Sequence, residues 1–429
     1  MTDALGHRLD ALMDREALRR LVLELCAIPA PQGQEQAAGA YVERWMAREG
    51  LRPRRVAAVP DRFHVVGCLG GHAPAQDGAR DLLIAAHLDT EGGLPAEEAR
   101  WCVPPDAAPE EPVAERDGVF TGAAVANDRG PMACFLMAAT LIRAAGIRLA
   151  GRFHLAACPG EIGPDPIDGH QGVARSGKDV GAAYLLANGG VAPDFMIAAE
   201  GTDFAVTTQG AGYAIFRIDL YGTQVFTPLF DATRPLAGHP NPIYRLGETI
   251  ARLHAWAPDF ERRHRYETRW GTTIPKVQIG AVRGGLPHAI GGGTGVCALY
   301  VEVGLSAVDR VQDVRREIAA VLEGTGPHDL TCVAYRQGGM ADEAAVAPLL
   351  DAIATASQGV CGTGLAVADP VYASMWRDHN VFNRAGIPSA TFGPRRWRPT
   401  LDDFATATLL YARIAIAICG VTPDTEPAR

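Results

Sequence analysis

Nowhere in the 429 residues do 18 apolar residues run together, and the opening segment MTDALGHRLD has no apolar signal core. A membrane-spanning helix and a secretory leader are therefore not expected. A basic excess is missing too. The formal net charge is -9, which argues against nucleic acid or an anionic membrane as partner, since both demand a basic face. Nine cysteines, an odd number, are scattered from Cys26 to Cys419 without a C-x-x-C pair, which excludes a zinc ribbon or a complete disulfide frame. They read as small core residues in a reducing compartment, and a cytoplasmic location is the simplest expectation. Internal repeats and low-complexity tracts are also absent. What remains is ordinary globular composition, 48% hydrophobic and 21% charged, in a chain too long for one core. Two domains are expected.

The chain is organised around DLLIAAHLDTEGG, residues 81 to 93. The apolar run Leu82 to Ala86 is too short for a capped helix and reads as a strand buried on both faces. His87 and Asp89 follow it at spacing i, i+2, so both leave the same side of the strand at its C-terminal edge, where open α/β sheets place their ligands. Such a pair suits a metal: the imidazole binds the ion, and a carboxylate behind it fixes the ring.

Helical spacing marks Asp14 to Cys26 and Gln34 to Gly50, followed by paired strand material from Arg54 to Gly67. Residues 95 to 115, rich in Ala, Pro and Glu, read as a surface excursion. In GAAVANDRGPMACFLMAATLIRAAG, from Gly122, a polar cluster opens a long apolar helix that stops at Gly146. Strands are expected at Arg152 to Cys158 and Phe195 to Ala199, each running into a polar turn, at Glu161 and Glu200. From Gly210 the pattern changes to strand Tyr213 to Leu220, helix Asn241 to Trp256, strands Val277 to Val282 and Ala298 to Gly304, and helix Val311 to Leu322. That is the β-α-β-β-α-β style of a separate domain inserted at 210–334 into a first domain formed by 1–209 and 335–429. Ala345 to Ser357, Ala385 to Phe392 and a last helix Ala405 to Cys419 return to buried material.

Four apolar segments thus adjoin ligand-type residues: His87, Asn127 or Asp128, Glu161 and Glu200. In this order, with HLD at 87–89, NDRG at 127–130, GEIG at 160–163, EGT at 200–202, NPI at 241–243, GG at 284–285 and AGIPSATFGP at 385–394, the chain resembles the metallopeptidase family of aminoacylase, acyl-diaminopimelate deacylase, dipeptidases and glutamate carboxypeptidase. The resemblance implies an α/β fold: a mixed-sheet catalytic domain with helices on both faces, zinc-peptidase-like, plus an inserted α+β lid. It also implies a metal-dependent hydrolase and a homo-oligomer, at least a dimer, formed through that lid.

Several positions depart from the family pattern. The bridging aspartate falls at Asn127, the Glu-Glu pair at Gly160-Glu161, the final histidine at Pro399 and the lid histidine at Phe226. Two dications about 3.5 Å apart repel by on the order of 20 kcal/mol at an effective dielectric near 20, and a neutral amide cannot bridge them. One divalent ion per subunit is expected. By the resemblance its ligands are His87, Asn127 and Glu200, with Asp128 competing for the place of Asn127 and Asp89 assisting behind His87. This hard donor set suits manganese as well as zinc. Without a second ion, Glu161 is available as general base and then acid.

His288, Trp376, Arg377, Asn380 and Arg395 stand where the family makes substrate contacts. Arginine forks fit a carboxylate or nitro group and tryptophan faces fit a ring, so the expected substrate is a small, flat, anionic aromatic. With these departures the chain most resembles divergent aminohydrolases of the family, a resemblance that implies exchange of a ring amine for hydroxyl with release of ammonia. An ordinary dipeptidase or N-acyl amino-acid deacylase is the first alternative, and a non-catalytic binding or assembly protein the second.

Overall fold

The Leu82–His87 segment forms a strand in which every residue is buried, as its uninterrupted apolar run requires. In the computed structural model, which describes residues 3–71, 78–92, 96–108, 111–162, 167–168 and 177–422, this strand lies inside an eight-stranded sheet. Gly93 and Gly163 of the motifs above, residues 95 and 109–110 of the surface excursion, and 423–429 lie outside the described residues. The chain folds as two units, one comprising Met1–Thr208, Met340–Asp369 and Arg377–Arg429, the other Gln209–Gly339 and Pro370–Trp376.

The first unit holds the strands β1 (Arg54–Val59), β2 (Arg62–Gly70), β3 (Leu82–His87), β4 (Arg152–Cys158), β5 (Phe195–Ala198) and β6 (Ala205–Thr207). Later in the chain it adds β11 (Ala366–Val367) and β12 (Ser389–Phe392). Their spatial order is β1-β2-β4-β3-β5-β12-β6-β11. Strand β3 runs parallel to both neighbours, with His87 opposite Cys158 and Ala85 opposite Ala198, whereas β1, β2 and β4 pair antiparallel. The three central strands β4, β3 and β5 therefore end at the same edge.

Its helices are α1 (Asp3–Leu12), α2 (Arg15–Cys26), α3 (Gln36–Arg48), α4 (Arg129–Ala144) and α5 (Ala182–Asn188), then α8 (Glu343–Cys361), α9 (His379–Arg384) and α10 (Leu401–Cys419). One sheet face packs Leu83, Ala85, Ala156, Cys158, Met196 and Ala198 against Ala182 and Leu185 of α5 and Phe382 of α9. The opposite face meets α4 and α10. Helix α4 is buried almost all round, which is what an apolar helix without a polar stripe must be. Helix α8 is, among the described residues, the one long and apolar enough to cross a membrane; here it packs on α10.

Elements of this unit depart from their expected bounds. Helix α10 begins at Leu401, not Ala405, because Thr400 and Asp403 form a reciprocal capping box. Sequence 385–392 is not all strand: Ala385 caps α9, Gly386 takes φ +81, and only Ser389–Phe392 pairs. All nine cysteines are free, yet Cys102 and Cys361 are exposed, so not all are core residues.

In the second unit the order is β7 (Gly212–Tyr221), α6 (Pro242–Arg263), β8 (Val277–Gly284), β9 (Val296–Leu305), α7 (Val311–Val321) and β10 (His328–Arg336), a β-α-β-β-α-β run. The sheet order is β8-β9-β7-β10, antiparallel throughout. Phe216, Ile218 and Leu220 of β7 face a core shared with Leu253 and Phe260 of α6 and Ile318 of α7. Helix α6 continues past Trp256 and through Pro258 to Arg263 because Phe260 is fully buried in that core, and its burial outweighs the lost backbone bond.

At the end of α6, His264 donates to Asp309 at 2.6 Å and stands 3.0 Å from Glu317, which also pairs with Arg263. The Asp309 hydrogen bond raises the His264 pKa against burial, whereas the Arg263 hydrogen bond brings Glu317 down to about 2. A raised histidine pKa stabilises below the unfolded value near 6.5 and loses that contribution as pH rises through the folded value. A depressed Glu317 stabilises above about 4.3 and loses its contribution as pH falls toward about 2. The replacement H264Q should therefore lower the thermal midpoint more at pH 5.5 than at pH 9. Equal losses at both pH values would refute the assignment.

Candidate metal centre

Three adjacent strand ends and one helix start bring the predicted residues together. His87 ends β3, Glu161 follows β4, Glu200 follows β5, and Asp128 immediately precedes α4. His87, Asp89, Asp128, Glu161 and Glu200 are all buried. The Nδ1–H of His87 donates to the backbone carbonyl of Asp89 at 2.8 Å, so the neutral ring must present its Nε2 lone pair. That lone pair is 3.1 Å from Asp128 Oδ2 and 3.9 Å from Glu161 Oε2.

Asp89 holds the ring by its carbonyl; its carboxylate is engaged elsewhere. Asp89 Oδ1 and Oδ2 accept the backbone N–H groups of Glu161 at 3.2 Å and Ile162 at 2.8 Å, which pins the turn that carries Glu161. Gly160 takes φ +74, and a Cβ there would stand 2.3 Å from the Gly177 carbonyl oxygen, so this backbone admits no glutamate at 160. The start of α4 is fixed by Arg129, whose buried guanidinium donates to the Leu25 and Ile28 carbonyls.

His87 Nε2 and both Asp128 carboxylate oxygens are buried without a hydrogen-bond partner. Two acceptors 3.1 Å apart repel unless a proton or a cation lies between them. Among the described residues no three His, Cys, Asp or Glu side chains form a ready-made cage. The donor chemistry nevertheless fits a divalent ion: one imidazole nitrogen and carboxylate oxygens turned toward it.

Charges around the pair explain the titration of its neighbours. Burial depresses the His87 pKa, but Asp128, Glu161 and Asp89 more than reverse this and raise it well above the ordinary value. For Glu161, burial acts upward, and Lys178, His87, Arg377 and Arg396 together bring it below the ordinary value. Glu200 is pushed up to about 8 by burial, despite the Arg377 guanidinium that donates to its Oε2. Burial and Glu161 raise Asp378 to about 7.

Asp128, weighed against Asn127, is the residue that faces His87. Asn127 is half-buried, its N–H donates to the Ala123 carbonyl, and its peptide to Asp128 is cis. Pro399 accepts the Phe120 N–H through its carbonyl and offers no side-chain donor. Of the expected substrate contacts, Arg377 is buried against Glu200 and Asn380 is buried at the start of α9. Arg395 is largely exposed, 3.9 Å from Asp403. Trp376 and His288 belong to the second unit, where Trp376 meets Tyr213 edge-on and His288 is exposed.

Sequence reasoning missed Lys178, buried with its ammonium donating to the Glu161 carbonyl, whereas Arg396, in the 395–398 segment expected at the substrate, has its charge reach Glu161. Lys178 did carry a signal. It is one of only two lysines in the chain, in a sequence that otherwise uses arginine for its positive charge.

The chain has the fold of the M20 metallopeptidases. Solved structures it resembles include human carnosine dipeptidase 1, at 12% identity and TM-score 0.65 over 97% of this chain and 99% of that one. A tripeptidase from Staphylococcus aureus subsp. aureus Mu50 matches at 16% identity and TM-score 0.64, covering 95% and 98%. A dinuclear metal-binding peptidase of the M20 family from Bacillus subtilis matches at 15% identity and TM-score 0.60, covering 96% and 99%. No family model matches the sequence. At these identities the likeness is one of fold.

If Asp89 anchors the Glu161 turn, D89A should destabilise the metal-free protein by about 3 kcal/mol, the scale of two hydrogen bonds to a charged acceptor. Urea unfolding measures it, and a loss below about 1 kcal/mol would refute that anchoring role.

Proposed function

We propose that the chain is a metal-dependent hydrolase of C–N bonds, with Glu161 moving the proton. The observation that carries this reading is the buried His87–Asp128 pair, 3.1 Å apart and without hydrogen-bond partners, with the Glu161 carboxylate 3.9 Å from the same imidazole nitrogen. His87, Asp128 and Glu200 are the residues that would hold the ion. When bound, a divalent metal supplies a Lewis acid that makes hydroxide available near neutral pH.

The remaining chemistry belongs to the chain. Glu161, kept ionised by Lys178, His87, Arg377 and Arg396, accepts the proton of the attacking water and returns it to the departing nitrogen. Asp89 fixes that carboxylate's turn, and Gly160 leaves the position before it without a side chain. Arg396 supplies positive charge to the same space, a fit for an anionic substrate.

The substrate reading we favour is 5-nitroanthranilate. Oxygen bonds to the ring carbon that carries the amine, the nitro group para to it takes up the developing charge, and the C–N bond breaks as Glu161 protonates the amine. The products are 5-nitrosalicylate and ammonia. Support comes from Asn127 and Pro399, which remove family donors for a second ion, and from Arg396, whose charge reaches Glu161. A dipeptidase with a shifted base is the second reading, favoured by the dipeptidase and tripeptidase among the similar structures. Both readings include a dimer or larger assembly of the chain with itself.

Metal-stripped protein incubated with 5-nitroanthranilate, with and without manganese or zinc, separates them by absorbance and ammonia release. Metal-dependent conversion is expected; hydrolysis of dipeptides alone would replace the aromatic reading. In either case E161Q should lower kcat by about 10² to 10⁴ while metal content stays the same, and unchanged turnover would remove Glu161 from the mechanism.

A further inference from the structure

The buried centre carries its own cations. Asp89, Asp128, Glu161, Glu200 and Asp378 are five buried carboxylates whose charges act on one another. Two buried side chains oppose them: Lys178, whose ammonium donates to the Glu161 carbonyl, and Arg377, which is only 4% exposed and donates to Glu200 Oε2. Arg377 acts electrostatically on Asp128 and Glu161 as well as on Glu200, so it is shared by the whole cluster. Arg396 adds to the positive charge felt by Glu161 from a less buried position.

In their ionised forms, five carboxylates opposed by Lys178, Arg377 and Arg396 leave two negative charges, which one dication balances. A second dication would make the buried cluster positive by the same amount, a state that low dielectric penalises heavily. Guanidinium is suited to such a post because it stays charged under all ordinary conditions and is weakly hydrated.

We propose that Arg377 is the fixed cation of this centre: by holding Glu200 and opposing the carboxylates around it, it takes the place of a second metal ion and limits the chain to one. The inference rests on the metal-dependent reading above. It gives Arg377 a positioning and charge-balancing role in place of the substrate contact expected from sequence.

The test counts ions and needs no turnover. Purified full-length protein is stripped of metal, dialysed against Mn²⁺ and analysed for metal per chain, alongside R377M and R377K. Wild type and R377K should each take up one ion. R377M should take up more than one, or hold its single ion at least ten-fold more tightly, because a nearby positive charge has been removed. Weaker or unchanged Mn²⁺ binding by R377M overturns the proposal, since a purely structural role for Arg377 predicts a loss. The wild-type count stands even if R377M fails to fold: two ions per wild-type chain overturn this inference and leave the hydrolase reading intact. No ion in any form overturns both.

Discussion

The constraint on which the site depends is the approach of two buried acceptors, the His87 Nε2 lone pair and the Asp128 carboxylate, at 3.1 Å. Two bare acceptors this close repel, so the contact requires a proton on the imidazole or a cation between the groups. It persists because each partner is fixed from behind. The imidazole is tied to the Asp89 carbonyl, and Asp128 sits at the start of a helix whose first residue is anchored to the Leu25 and Ile28 carbonyls. The sheet and helix thus hold the two groups at a separation that a proton or a cation bridges.

Parallel strand order delivers the remaining groups. Because β4, β3 and β5 are adjacent and run the same way, their C-terminal turns converge, and His87, Glu161 and Glu200 arrive at one edge without long loops. The charge carried by that edge is high and buried. Lys178 and Arg377 make it tolerable by setting fixed positive charges against the buried carboxylates. The same cations also favour the ionised form of Glu161.

Local patterns determined a good deal. The five-residue apolar run before His87 required a buried strand, the alternation in 213–220 required a sheet with one covered face, and the polar cluster before an all-apolar helix placed Asp128 at a helix start. These follow from period and polarity, which are properties of short segments. Boundaries set by tertiary burial or side-chain caps were less legible. Helix α6 crosses Pro258 because Phe260 reaches a core formed by distant strands, and α10 starts early through a Thr400–Asp403 box.

By itself, then, the sequence determined the buried strand at 82–86, the strands that lead into Glu161 and Glu200, and the β-α-β-β-α-β style of the 210–334 segment. Tertiary structure alone decided that Asp128 faces His87, that the Asp89 carboxylate serves the Glu161 turn, and that Arg377 closes on Glu200. The physical reason is distance along the chain. Glu200 and Arg377 are separated by 177 residues, Asp89 and Glu161 by 72, and no local periodicity encodes a contact between charges that far apart.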